Sequence, residues 1–406
     1  MKIVVQKFGG TSVATEEARI AVKDKVQQAI RNGYCPVVVV SAMGRKGAPY
    51  ATDTLIGVLK EANVSVNVRE MDVMMACGEI ISSCVMAATL QKFGINATAL
   101  TGGQAGIITD STFGAARIKT IKTAQLLHLL ESGIIPVVCG FQGVTENNGR
   151  LTTLGRGGSD TTGVALGAAL KADFVEIYTD VDGIMTADPR IVSDTHIMDS
   201  ISYTEVCQMA NNGAKVIHPR AVEIAMRNNL PVYVKSTFSD APGTLITNVA
   251  DTNGGIGDSM VSDKVASGIA HETDLVQFRV ELDPENISAG RNLFEDLANH
   301  GISVGCLNLS EHGAKFCVFS KDTIHTEEVL KGSDVKYVKN TGCAKVTVVG
   351  NNMSGVSGVM STFVTALASN GITILQTMDS DITITAIIKE EKVKEAVNAL
   401  HHAFGL

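Results

Sequence analysis

A lysine ahead of two glycines and two hydroxyls, Lys7-Phe8-Gly9-Gly10-Thr11-Ser12, ends the strand-like run that begins at Ile3. A helical pattern follows from Glu16. Glycine lets backbone N–H groups approach an anion closely, and the N-terminus of a following helix favours negative charge. Lys7 adds a point charge able to reach phosphate oxygens. The Walker spacing G-x-x-x-x-G-K-[ST] is absent, because the lysine precedes the glycines. On its own this cluster also fits a tight turn that happens to follow a lysine.

Four other clusters carry polar groups at strand or helix ends. In "TTLGRGGSDTT", Thr152–Thr162, glycines surround Arg156 and a Ser159-Asp160 pair. Either polar residue suits a helix N-cap. Capping does not account for Arg156, whose planar fork on a glycine loop matches a carboxylate. In "YTDVDGIMTADPR", Tyr178–Arg190, acidic residues follow an apolar strand, but the calcium-loop spacing and its closing Glu are missing. In "NNGAKVIHPRAVEIA", Asn211–Ala225, Lys215 precedes His218-Pro219, and a packed or capping role is the plain expectation for His218. In "CGEIISS", Glu79 sits in an otherwise apolar helix and needs a partner, either solvent on an exposed face or a ligand amine.

The elements that must position these groups form a regular alternation up to about residue 247. The runs "KIVVQKF", "PVVVVSA", "INATALTG", "IIPVVCGF", "DFVEIYTD" and "LPVYVKST" read as strands covered on both faces. Between them lie helical patterns at Glu16–Arg31, Glu70–Phe93, Thr123–Glu131, Asp160–Leu170 and Ala214–Asn228. Such alternation predicts an α/β fold, a mostly parallel sheet sandwiched by helices, with ligands outside the C-terminal strand ends. Residues 248–264, rich in Gly, Asp, Ser and Asn, read as a linker. Beyond it "LANHGISV", Leu297–Val304, recurs as "LASNGITI", Leu367–Ile374. Strands and helices flank both copies in the same order, β-α-β-β-α, which predicts two α+β ferredoxin-like modules, at 265–340 and 341–406.

A chain of 406 residues with 45% apolar content can bury several cores. Its net charge of −8 and the lack of a long basic tract argue against nucleic acid or an anionic membrane as partner. Met1-Lys2 leads straight into a strand pattern rather than a secretory leader, and no uninterrupted apolar run approaches the roughly 20 residues of a membrane span. Eight cysteines, none in C-x-x-C, read as packed thiols in a reducing cytoplasm rather than zinc ligands.

In combination these motifs are specific. K-F-G-G-T-S, then G-R-G-G-S-D, then Y-T-D-V-D-G-x-x-T-A-D-P-R, then G-A-K-V-x-H-P-R resembles the aspartate kinases of the amino-acid kinase family, and the repeat resembles their regulatory ACT domains. The length resembles the monofunctional enzyme rather than one fused to a dehydrogenase. The resemblance implies that Lys7, Phe8, Gly9, Gly10, Thr179, Asp180, Met185, Arg190, Lys215 and Val216 meet ATP, with Mg²⁺ bridging its oxygens. It implies that Ser41, Thr52, Glu79, Arg156, Gly157, Gly158 and Ser159 meet L-aspartate. Lys7 and Asp160 are the implied catalytic pair. Met185 stands where relatives often carry Tyr, and "ELDPENISAG" where they often carry a Pro-Gly turn; "VGNNMSGVSGVM" keeps the pattern.

The implied acceptor is the β-carboxylate of aspartate, already ionised at neutral pH, so no general base is needed. A kinase of another small acid or of a nucleoside monophosphate, and a non-catalytic amino-acid sensor, are the alternatives. The ACT pair implies an amino-acid effector, with lysine, threonine and meso-diaminopimelate all open. ACT edges commonly pair, so a homodimer or higher homo-oligomer is expected. Met260 offers an internal start for a separate regulatory chain.

Overall fold

The computed structural model describes residues 1–214, 216–248, 265–282, 287–310, 313–333, 335–351 and 353–406, the side chains of 287–291 excepted. The expected position of Lys215 and almost all of the expected linker lie outside the described residues. The chain forms two units, each described by itself.

In the first unit every apolar run read as a strand enters one sheet. These are β1 (Ile3–Phe8), β2 (Cys35–Val40), β3 (Ala97–Leu100), β6 (Ile135–Cys139), β9 (Phe174–Thr179) and β11 (Val232–Ser236). With β10 (Ser200–Ser202) and β12 (Thr244–Thr247) they make an eight-stranded sheet in the order β10-β12-β11-β9-β1-β2-β6-β3. All its pairings are parallel except β11 with β12. Helices α1 (Glu16–Arg31) and α3 (Val68–Lys92) share one core with Phe8, Val38, Val137 and Tyr178. Strand alternation turns Val5 and Lys7 the other way. There they meet α5 (Gly158–Leu170), whose Gly163 and Gly167 bring the helix close to the sheet.

Helix α3 has the length and composition of a membrane span. Here it is a core helix, packed on β3, β6 and the short strand Leu151–Thr153 and carrying the buried carboxylates Asp72 and Glu79. Two further helices, α2 (Thr52–Ala62) and α4 (Ala124–Glu131), complete this part. A second, four-stranded sheet draws two strands from before α4, β4 (Ile107–Thr109) and β5 (Ile118–Ile121), and two from after it, β7 (Gln142–Thr145) and β8 (Leu151–Thr153). Helix α6 spans Tyr203–Asn211. The helix expected from Ala214 starts at Pro219 instead, as α7 (Pro219–Arg227). His218 is extended and caps it through Nδ1, and proline suits the first helical position.

The second unit is built on one six-stranded sheet, ordered β14-β15-β13-β16-β18-β17. Its elements run β13 (Ala266–Glu281), α8 (Ile287–Asn299), β14 (Gly305–Ser310), β15 (Gly313–Phe319), α9 (Thr323–Gly332), then β16 (Tyr337–Gly350), α10 (Val359–Ser369), β17 (Gln376–Asp379), β18 (Thr383–Lys389) and α11 (Val393–Phe404). The repeat recurs in geometry. Gly301 and Gly371 both take the left-handed conformation that ends a helix, and Ile302 and Ile372 each donate back to a leucine carbonyl, Leu297 and Leu367.

A cut into 265–340 and 341–406 does not describe this unit. The start of β13 pairs with the end of β16, Ala266 opposite Gly350, and Ala266 and Ile269 lie in the core of the second module. The end of β13, from Val276, lies in the core of the first. The first module is thus inserted into the second. Residues 185–196 and 211–214 also belong to this unit rather than to the first. Ala187 and Val192 join the second module's core, and Ile269 N–H donates to the Thr186 carbonyl.

Candidate active site

The C-terminal ends of β1, β2 and β6 and the start of α5 frame a cavity of about 560 Å³. Lys7, Gly10, Ser41, Thr52, Glu79, Arg156, Gly157, Gly158, Ser159 and Asp160 all line it. The residues implied for aspartate therefore converge in one place, together with the catalytic pair and one glycine of the first motif.

Lys7 is nearly buried, and its Nζ lies 2.6 Å from Asp160 Oδ1. Its stem runs beneath Gly163, where an added Cβ would come within 3.1 Å of Lys7 Cβ. The turn after it is fixed by Gly9 N–H donating to the Tyr178 carbonyl and Gly44 N–H donating to the Gly10 carbonyl. At Gly10 a side chain would strike the carbonyls of Ala42 and Gly44 at 2.6 and 2.7 Å. Residues 10–13 continue as a short 3-10 turn. Asp160 stands in the first turn of α5, but neither it nor Ser159 caps the helix; Gly157, at φ 66°, takes the N-cap position. The carboxylate is thereby left to hold Lys7.

Glu79 reaches the cavity from α3 and is 3% exposed. Its Oε1 accepts the Ala42 N–H at 3.1 Å, while Oε2 finds no hydrogen-bond partner among the described residues. Burial pushes its pKa up to about 8. A buried carboxyl with one oxygen unpaired is costly. Facing a cavity, it is a ready partner for a cation. Arg156 is exposed on the loop between β8 and α5.

Three residues that the motif reading did not single out, or read as plain, brace this loop. Arg220 donates to the carbonyls of Leu154 and Ala116 at 2.9 and 3.1 Å. His218 packs its ring where a Cβ on Gly157 would fall, 2.1 Å away, so only glycine fits there. Burial lowers the His218 pKa, against the pull of Asp160. Asp72, fully buried on α3, holds Gly114 and Thr153. A buried acid on an apolar helix is visible in sequence, but its donors come from segments far along the chain.

The residues implied for nucleotide are more scattered. The Phe8 side chain is fully buried and stacked on Tyr178 at 4.7 Å, on the α1 side of the sheet, so only its backbone can serve a ligand at the strand end. Thr179 donates to Asp180, whose carboxylate is 2.5 Å from Arg45. Val216 is half-buried before α7. Met185 and Arg190 belong to the second unit, where the Met185 sulfur accepts from Thr195 and Arg190 is paired with Asp188 at 2.7 Å.

A parallel sheet between helices, a lysine–glycine turn at its first strand end and an anion-ready loop opposite describe a small-acid kinase. Residues 2–236 match the amino acid kinase family and residues 338–402 an ACT domain. Aspartokinase 1 of Bacillus subtilis is 44% identical over 406 residues, covering both chains in full. The aspartokinase of Geobacillus stearothermophilus is 40% identical, covering 100% of this chain and 98% of its own. Among solved structures, E. coli aspartokinase III with aspartate and ADP, in an R-state, superposes with a TM-score of 0.81 at 27% identity, and its complex with lysine and aspartate, in a T-state, with 0.77 at 26%; both comparisons cover both chains in full. The chain belongs to the amino acid kinase family and, within it, to the aspartokinases.

Proposed function

We propose that this chain transfers the γ-phosphoryl group of ATP to the β-carboxylate of L-aspartate, giving 4-phospho-L-aspartate and ADP. The observation that carries the reading is the buried Glu79 Oε2, unpaired among the described residues, in the same cavity as Arg156 and the Lys7–Asp160 pair. Glu79 receives the substrate ammonium and Arg156 clamps a carboxylate, with Ser41, Thr52 and Ser159 as neutral donors around them. Lys7 neutralises charge on the transferring phosphoryl group, and Asp160 holds Lys7 in place. The acceptor is already an anion, so catalysis rests on alignment and charge neutralisation rather than proton abstraction. The rest of the nucleotide is assigned, within the first unit, to Thr179, Asp180, Lys215 and Val216.

Magnesium enters as MgATP. Among the described residues no cluster of three carboxylates, imidazoles or thiols forms a cage.

Control falls to the ACT modules, with an end-product amino acid (lysine, threonine or meso-diaminopimelate) as effector. It acts by binding one arrangement of the chain more tightly than another. Assembly runs through the same modules: β14 is an edge strand with Leu307 and Leu309 exposed. The eight free thiols suit a reducing cytoplasm.

The test is ATP turnover by the purified chain with aspartate, with glutamate and with neither. The expected result is ADP release with aspartate only, together with an acyl phosphate that hydroxylamine traps. Turnover with glutamate alone, or none with either acid, overturns the reading.

A further inference from the structure

Helix α3 carries a second buried carboxylate besides Glu79. Asp72 lies seven residues before it, on the same face of the helix, and is 0% exposed. Its Oδ2 accepts the backbone N–H of Thr153 at 2.8 Å and of Gly114 at 3.0 Å. Its Oδ1 accepts the Thr153 hydroxyl at 2.7 Å. These three donors are neutral, and together they tie two separate segments to α3. Thr153 ends β8, and Leu154-Gly155-Arg156 follow directly. Gly114 lines the cavity and lies against Gly155, 3.3 Å from the position of a Cβ there.

Glu79 and Arg156 are therefore not independent. One is carried by α3. The other hangs three residues beyond a strand end that is bonded to the same helix two turns away. A rise of about 1.5 Å per residue makes the helical part of this frame about 10 Å long and stiff. We propose that Asp72 is a positioning residue that sets the span between Glu79 and Arg156, and so selects an amino diacid of four carbons over one of five. This rests on Glu79 and Arg156 being the ammonium and carboxylate clamps. Without the Asp72 bonds the loop that carries Arg156 loses its register against α3. The clamp then fits aspartate less well and glutamate less badly.

The experiment compares Asp72→Ala, Asp72→Asn and Thr153→Val in the full chain, with Glu79→Gln as control. The readouts are KM for aspartate, KM for ATP, the aspartate-to-glutamate ratio of kcat/KM, and Tm. For Asp72→Ala the expected loss in kcat/KM for aspartate is roughly 10²-fold, the usual result of misplacing a clamp by about 1 Å. The ATP KM is expected to stay unchanged and the preference for aspartate to narrow. Asn can still accept both N–H groups through its oxygen and turn its amide to the Thr153 hydroxyl, so Asp72→Asn restores most of the loss. Thr153→Val, which removes only the hydroxyl donor, shifts the aspartate KM the same way by less, and it decides the matter if Asp72→Ala does not fold. A lower Tm with both KM values and the substrate ratio unchanged overturns the proposal. If Glu79→Gln leaves the aspartate KM untouched, the clamp reading itself has failed; if that control responds and the Asp72 and Thr153 variants do not, only this inference has.

Discussion

The Glu79 carboxyl makes aspartate binding depend on pH in a direction that can be worked out. Burial pushes its pKa up to about 8, and Oε2 has no partner among the described residues. An ammonium placed beside it favours the ionised form. Below pH 8, binding aspartate must therefore expel a proton. The apparent KM then scales with one plus the ratio of proton concentration to the acid constant, and falls about 50-fold between pH 6 and pH 8. Calorimetry in two buffers of different ionisation heat, at pH 7, is expected to show release of about 0.9 proton per aspartate bound. Glu79→Gln has no proton to lose, so its KM is expected to be high and flat over the same range. Stability runs the other way with pH. A carboxyl whose folded pKa lies above its ordinary value contributes stability at low pH, and that contribution is lost as pH rises through about 8. That loss accrues between the ordinary carboxyl pKa of 4.5 and about 8, and saturating aspartate is expected to remove it from Tm. An aspartate KM that does not change from pH 6 to pH 8 in the wild type, or no proton release, refutes the argument.

Lys7→Ala is expected to lower kcat roughly 10²–10³-fold at saturating MgATP, the usual cost of one preorganised charge-stabilising group; steady-state kinetics checks it, and a kcat near that of wild type removes Lys7 from the mechanism. Gly157→Ala places a Cβ against the His218 ring at a left-handed φ, so the aspartate KM is expected to rise more than the ATP KM. Gly358 also has a left-handed φ, 95°, at the start of α10, but open space where a Cβ would go. Gly358→Ala is expected to cost about 1–2 kcal/mol of local strain and to weaken end-product inhibition while uninhibited kcat stays close to wild type. Inhibition curves with lysine, threonine and meso-diaminopimelate test this.

The apolar runs announced the main sheet because a strand covered on both faces must be apolar along its length. The small sheet carries no such signal. Its strands are three or four residues long and read "IKTI", "QGVT" or "LTT", yet it supplies Thr153 and so holds one wall of the site. Glu79 was legible as a carboxylate without a partner on an apolar helix. Asp72 has the same local signature, and only the fold shows that its partners come from residues 114 and 153. The early helix start expected at Ala214 fails because helical periodicity says nothing of the extended His218 that caps α7. The repeat revealed two modules of like order. Strand pairing decides which residues each module owns, and eight similar residues do not encode it.

That ownership bears on how the regulatory half could ever be separated from the rest. The residues of β16 from Lys345 to Val349 are flanked on one side by β18 and on the other by the opening stretch of β13, Gly268–Glu272. A piece that begins with β16, at Tyr337, would keep the helices and the later strands of the second module. It would also leave a bare hydrogen-bonding edge along an apolar strand, the kind of edge that recruits other chains. A piece that starts ahead of Ala266 keeps the edge covered. Met260 meets that condition and residues 265–340 contain no methionine, so an excised or separately translated regulator of this kind has to carry both modules or neither.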